Sequence, residues 1–199
     1  MKIRSGQTIL ELLIAFMVIA VGLFAAATLV FSNLNLVQRD ADEVVAVNLA
    51  REGIELAKQM RDSNWLDGSP FDLGFSDAPL NPLDYTATPV WEGTWIPAMT
   101  VPSFLFSAND FTHGNATIVK TAHGMYANSG GGITGTATPF QRLLTFHPIC
   151  KTEPISFVDS GTACPAGVAK IGIRVESHVR WARKGASTLT MYDDLYDWR

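Results

Sequence analysis

GQTILELLIAFMVIAVGLFAAATLVF, residues 6–31, decides how the rest of the chain is read. From Ile9 to Phe31 there are 23 positions, of which only Glu11, Gly22 and Thr28 are not plainly apolar. About 20 apolar residues suffice to cross a bilayer as a helix, so this stretch can span a membrane. Glu11 is the member that needs a reason. An ionised carboxylate in hydrocarbon is costly unless a partner or water meets it.

Before the run, Lys2 and Arg4 are the only charges, and positive charge beside a first helix tends to stay in the cytoplasm. The C-terminal part is therefore expected outside it. A cleaved secretory signal begins in the same way, and Ala25, Ala26 and Ala27 would offer its peptidase small residues. Glu11 near the start of the run, and helical patterning that continues past Ala27, favour a retained helix.

After the run, helical pattern persists. All ten prolines lie between Pro70 and Pro165, so nothing earlier carries the ring that breaks a helix interior. Ala46, Leu49, Ala50, Gly53, Ala57 and Met60 fall on one helical stripe, with Arg51, Glu52, Glu55, Lys58, Gln59 and Asp62 on the other side. A helix from Thr8 to Trp65 would be roughly 85 Å long, far more than a bilayer needs, so its amphipathic second half must project outward. Gly22 reads as a point of close helix packing. Gly68 and Pro70 stand in the order that stops a helix.

The stretch Ser5-Gly6-Gln7-Thr8-Ile9-Leu10-Glu11-Leu12-Leu13 resembles the class III signal of type IV pilins and type II secretion pseudopilins. In that family a short basic leader ends in glycine, a prepilin peptidase cuts after it, and the new N-terminus is methylated. The resemblance implies a leader of residues 1–6, cleavage between Gly6 and Gln7, and N-methylation at Gln7. It also implies that Glu11, fifth in the mature chain, is the counter-charge for a neighbouring subunit's N-terminal amine. The family most often has phenylalanine where this chain has Gln7. Implied partners are the prepilin peptidase, other pilin subunits, the inner-membrane assembly platform and membrane lipid.

Beyond the helix the pattern turns to β. Six prolines between Pro70 and Pro102 describe an extended connector, with one strand expected near Tyr85 to Trp91. Further strands are expected at Ala116 to Thr121 and Arg142 to His147, separated by a flexible NSGGGITG loop at residues 128–135. The clearest alternation puts Ile171, Ile173, Val175, Ser177, Val179 and Trp181 on one face, and Arg174, Glu176, His178 and Arg180 on the other. A hairpin turning at Lys184 and Gly185 returns Leu189 and Met191 to the apolar face. Leu195 or Trp198 is expected to dock. Trp65 reads as a plug between helix and sheet, and Trp91 and Trp95 as aromatics covering it.

Cys150 and Cys164 have no Cys-x-x-Cys spacing and no second pair. A disulfide is the economical reading, implying an oxidising compartment; two independent thiols are the other. No cofactor or metal is expected. His113, His123, His147 and His178 are scattered and lack metal-site spacing, and read as solvated or structurally bonded. Asp62, Asn64, Asp67 and Gly68 miss the calcium-loop spacing, and Asp193, Asp194 and Asp197 read as a solvated acidic turn. No nucleophile elbow, phosphate loop, dinucleotide fingerprint or zinc helix is present. With 15 basic and 19 acidic residues and a net charge of -4, the chain has no basic footprint for nucleic acid.

The expected fold class is α+β, a long N-terminal helix packed on an antiparallel sheet. The expected parts are the leader 1–6, a membrane or filament-core helix 7–32, an amphipathic helix half 33–66 and a β-rich headpiece 67–199. The resemblance implies a pilin-like ladle and a structural, non-enzymatic subunit, first a minor pilin and then a type II secretion pseudopilin. A membrane-tethered binding module or enzyme, and a soluble domain released by signal cleavage, are the rivals.

Overall fold

In a computed structural model, residues 5–75, 86–90, 103–107, 111, 114–129, 133–158, 163–182 and 185–198 are described; the side chains of 5–8, 86–90 and 103–107 are not. Trp91, Trp95 and His113 lie outside the described residues. The architecture is α+β: one N-terminal helix, α1 (Ser5–Leu66), followed by strands that pair antiparallel throughout.

The chain forms two compact units, one ending at Val44 and one running from Val45 to Arg199. The first is the apolar stretch of α1. The second contains the last turns of α1 and the sheet, so the amphipathic half of the helix shares a core with the strands.

Within the second unit the strands are β1 (Thr86–Val90), β2 (Ser103–Ser107), β3 (Thr117–Lys120), β4 (Tyr126–Asn128), β5 (Thr136–Cys150), β6 (Ser156–Phe157), β7 (Lys170–Ala182) and β8 (Ala186–Tyr196). The long β5 is central. It pairs with β7 along one edge and with β1, β3 and β6 along the other, while β8 extends the sheet beyond β7.

Two adjoining cores join α1 to the inner sheet face. Ala46, Leu49 and Ala50 pack with Ile118, Phe140, Val179 and Trp181. Ile54, Ala57, Met60 and Trp65 pack with Leu144, Phe146, Ile173, Val175 and Leu195, closed by Phe71 and Phe75. The expected stripe is therefore the buried one, and Trp65 is the plug at its end. Leu195 docks at 2% exposure, whereas Trp198 stays 71% exposed with its ring edge-on to Trp65 at 4.5 Å.

The helix stop has defined chemistry. Ser69 N donates to Asn64 O at 2.9 Å and Gly68 N to Trp65 O at 3.2 Å, with Gly68 at φ 72°. This is the Schellman arrangement, which needs a left-handed residue after the cap. The Asn64 amide, in a stretch that only superficially resembles a calcium loop, donates to the carbonyls of Phe71 and Leu73.

Three strand boundaries differ from expectation. β5 starts at Thr136 and ends at Cys150 rather than spanning Arg142 to His147. Pro139 lacks a ladder donor, and it falls where the β3–β5 register shifts, the place a strand tolerates proline. Asn128 closes β4 instead of opening a loop and is fully buried, because its amide has backbone partners. β2 had no legible alternation.

Candidate functional site

From Ile9 to Asp40 the first unit is a helix surface without a covering. Every side chain from Ile9 to Asp40 is exposed, from Leu36 at 53% to Phe24 at 74% among the large apolar ones. This helix is long and apolar enough to cross a membrane, with a mean hydropathy of 2.7 in its most apolar window, none of which is buried. Monomeric soluble proteins rarely expose contiguous apolar patches beyond a few hundred square ångströms. Thr28 causes little conflict, since its hydroxyl donates to Ala25 O at 2.8 Å. Gly22 has open space where a Cβ would stand.

Gly6, Gln7 and Glu11 all lie in α1, with Gln7 and Glu11 four positions apart and hence one turn apart. Glu11 is exposed like its apolar neighbours.

The second unit is held to its stretch of α1 by a buried cation, Arg142, which strand periodicity alone marks only as the start of a strand. Arg142 is 1% exposed. Its Nη1 donates to Leu49 O at 3.0 Å and lies 3.2 Å from Glu52 Oε2, while Nε and Nη2 both donate to Asn128 Oδ1, at 3.1 and 2.9 Å. Burial lowers its pKa and Glu52 opposes that shift. Beside it, a Cβ on Gly53 would stand 2.7 Å from Leu144 Cδ2 and 2.8 Å from Ser177 Oγ, so only glycine lets the helix lie this close. Val45, Leu49, Glu52, Met125 and Tyr126 line a shallow open groove of about 410 Å³ next to this clamp.

No family model, curated protein or solved structure matches the chain.

Cys150 and Cys164 form a disulfide with a Cα–Cα distance of 5.7 Å. It closes a loop that leaves Ile155 and Phe157 exposed at 52% and 44%. Phe157 covers one side of the Arg174 guanidinium at 3.8 Å and Tyr192 lies 4.6 Å from it, while Asp194 receives two of its hydrogen bonds. Asp194 holds Arg174 above the ordinary arginine range. Asp193 pairs instead with Lys58 of α1 at 2.9 Å, so these two acidic neighbours serve opposite sheet faces. Among the described residues no group of three or more His, Cys, Asp or Glu is placed to hold a metal ion. His123 is exposed, and His147 and His178 lie on the outer sheet face, where both face Glu176.

Proposed function

We propose that the chain is a structural, non-enzymatic subunit of a type IV pilus-like filament, most like a minor pilin. One observation carries this reading: a long helix whose apolar side chains from Ile9 to Val37 are all uncovered, in a stretch that includes Glu11. Such a surface requires lipid before assembly and neighbouring helices after it. An acid within it requires a cation from one of those neighbours. Cleavage after Gly6 would create that cation at the Gln7 amine, and in a filament the amine of one subunit meets Glu11 of the next. The disulfide supports placing the second unit outside the cytoplasm, because such bonds persist in oxidising compartments.

Mass spectrometry of the mature N-terminus, with fractionation of sheared filaments, tests the proposal. A chain beginning at Gln7 and recovered with filaments is the expected result. A chain beginning near Ala26 to Thr28, released as a soluble domain, would overturn it; a chain that retains Met1 and stays in the membrane fraction would favour a tethered module.

A further inference from the structure

The outer face of the sheet, opposite α1, carries polar side chains that neither the core nor the proposed assembly uses. By strand alternation, His147 of β5, Arg174, Glu176, His178 and Arg180 of β7, and Thr190, Tyr192 and Asp194 of β8 share this face. The register places His147 beside Arg174 and then Asp194, and His178 beside Thr190. Glu176 lies between them. Nε2 of His147 is 3.9 Å and Nε2 of His178 is 3.6 Å from the same oxygen, Oε2 of Glu176. On its other side, His178 Nδ1 is 3.0 Å from Thr190 Oγ1.

Two imidazoles facing one carboxylate oxygen cannot both be charged on equal terms. With His178 neutral, the facing carboxylate favours the tautomer protonated on Nε2. Nδ1 then accepts the Thr190 hydroxyl proton. A second proton must go on Nδ1, and Thr190 has to turn from donor to acceptor. Glu176 balances one imidazolium only. Among the described residues the rest of the face offers no further compensation: Asp194 is already committed to Arg174, and Arg180, bonded to Gln141 Oε1, adds another positive charge. At neutral pH the two guanidiniums balance Glu176 and Asp194; with both histidines protonated the face gains two positive charges.

We propose that His147, Glu176 and His178 form an acid-sensitive latch across β5, β7 and β8, closed while His178 is neutral and loosened when both rings are protonated.

Burial holds His178 below the ordinary value of 6.5; Glu176 pulls the other way and His147 reinforces the burial. Because the folded pKa is depressed, the unfolded chain takes up this proton first as pH falls. The latch therefore contributes fully above 6.5, and its contribution is lost as pH falls through 6.5 toward the folded value.

The test uses the full chain in detergent micelles with ¹³C-labelled histidine, the His178 ring signal being assigned by its disappearance in His178→Gln. The wild-type ring is expected to titrate below free histidine, and Glu176→Gln to move it further down. The unfolding midpoint is expected to drop between about pH 7.5 and about pH 5, with the drop reduced in His178→Gln. A His178 ring titrating at or above the free value, or moving up in Glu176→Gln, would overturn the latch. So would an undiminished acid drop in a folded His178→Gln protein. Should that variant fail to fold, the ring titrations in wild type and Glu176→Gln, assigned by through-bond correlation, decide alone.

Discussion

The guanidinium of Arg142 donates to the carbonyl of Leu49 at 3.0 Å, across 93 positions of sequence. That bond reaches an α1 carbonyl from the middle of the central strand, and the same side chain saturates Asn128 Oδ1. Arg142→Ala would leave Asn128 Oδ1 buried without these donors and remove the partner of Glu52. A loss of about 2–4 kcal/mol is expected, since buried groups left unsatisfied cost more than the bonds they made. Chemical denaturation of the full chain in detergent, followed by near-UV circular dichroism, measures it. Arg142→Lys should recover only part, because an ammonium cannot reproduce the fork; full recovery would mean that charge alone holds the clamp.

Gly53 and Ser177 form a second, testable contact. Gly53→Ala gains up to about 1 kcal/mol of helix propensity, yet its methyl would meet Leu144 and Ser177 far inside contact distance. The net expectation is destabilisation by about 1–3 kcal/mol, typical of overpacking. Ser177 Oγ is buried with no hydrogen-bond partner among the described residues. Ser177→Ala should thus be neutral or stabilising by up to about 1 kcal/mol, and Gly53→Ala should cost less in that background. Strictly additive effects would show that the two sites do not press on each other.

Removing the Cys150–Cys164 bond frees a loop whose ends are 14 positions apart. Chain entropy for a loop of that size corresponds to about 3 kcal/mol. Comparing the paired Cys150→Ser and Cys164→Ser substitutions with wild type, in oxidising and reducing buffer, should show the loss in the first comparison. Reductant should destabilise only the wild type.

Lys58 links α1 to β8 through Asp193, with Glu55 as a second partner. The hydrogen bond to Asp193, followed by that to Glu55, raises its pKa above 10.5. A raised lysine contributes fully below its unfolded value and loses that contribution as pH climbs through the folded one. Since the group is about one-third exposed, Lys58→Met is expected to cost less than about 1 kcal/mol at neutral pH. Unfolding midpoints read between neutral and strongly alkaline pH should converge for the two proteins; a gap that widens with alkali would contradict the sign.

On the proposed function, Glu11→Ala removes the counter-charge without touching the leader junction. Cleavage after Gly6 should continue, and recovery in filaments should fall about tenfold or more, the equivalent of about 1.4 kcal/mol in subunit docking. Unchanged recovery would remove Glu11 from the assembly mechanism.

The sequence by itself determined the local and periodic features. The apolar run, the stripe from Ala46 to Met60, the helix stop at Gly68 and the alternation from Ile171 to Trp181 were legible, because helices and half-buried strands write their periods into nearest neighbours. The pairing of the two cysteines was also legible as the economical reading. What only the tertiary structure decided was which polar residues go inside and which charges meet. Arg142 and Asn128 sit in a core whose apolar pattern would have excluded them, and are tolerated because distant backbone and side-chain groups supply their partners, whereas alternation alone already placed Ser177 on the covered face. Asp193 and Asp194 look equivalent in sequence, but alternation on β8 sends one to Lys58 on the helix side and the other to Arg174 on the outer face. His147 and His178 likewise become neighbours only through the β5–β7 register. Periodicity is a property of short segments, whereas the satisfaction of buried charge depends on contacts between residues far apart in sequence.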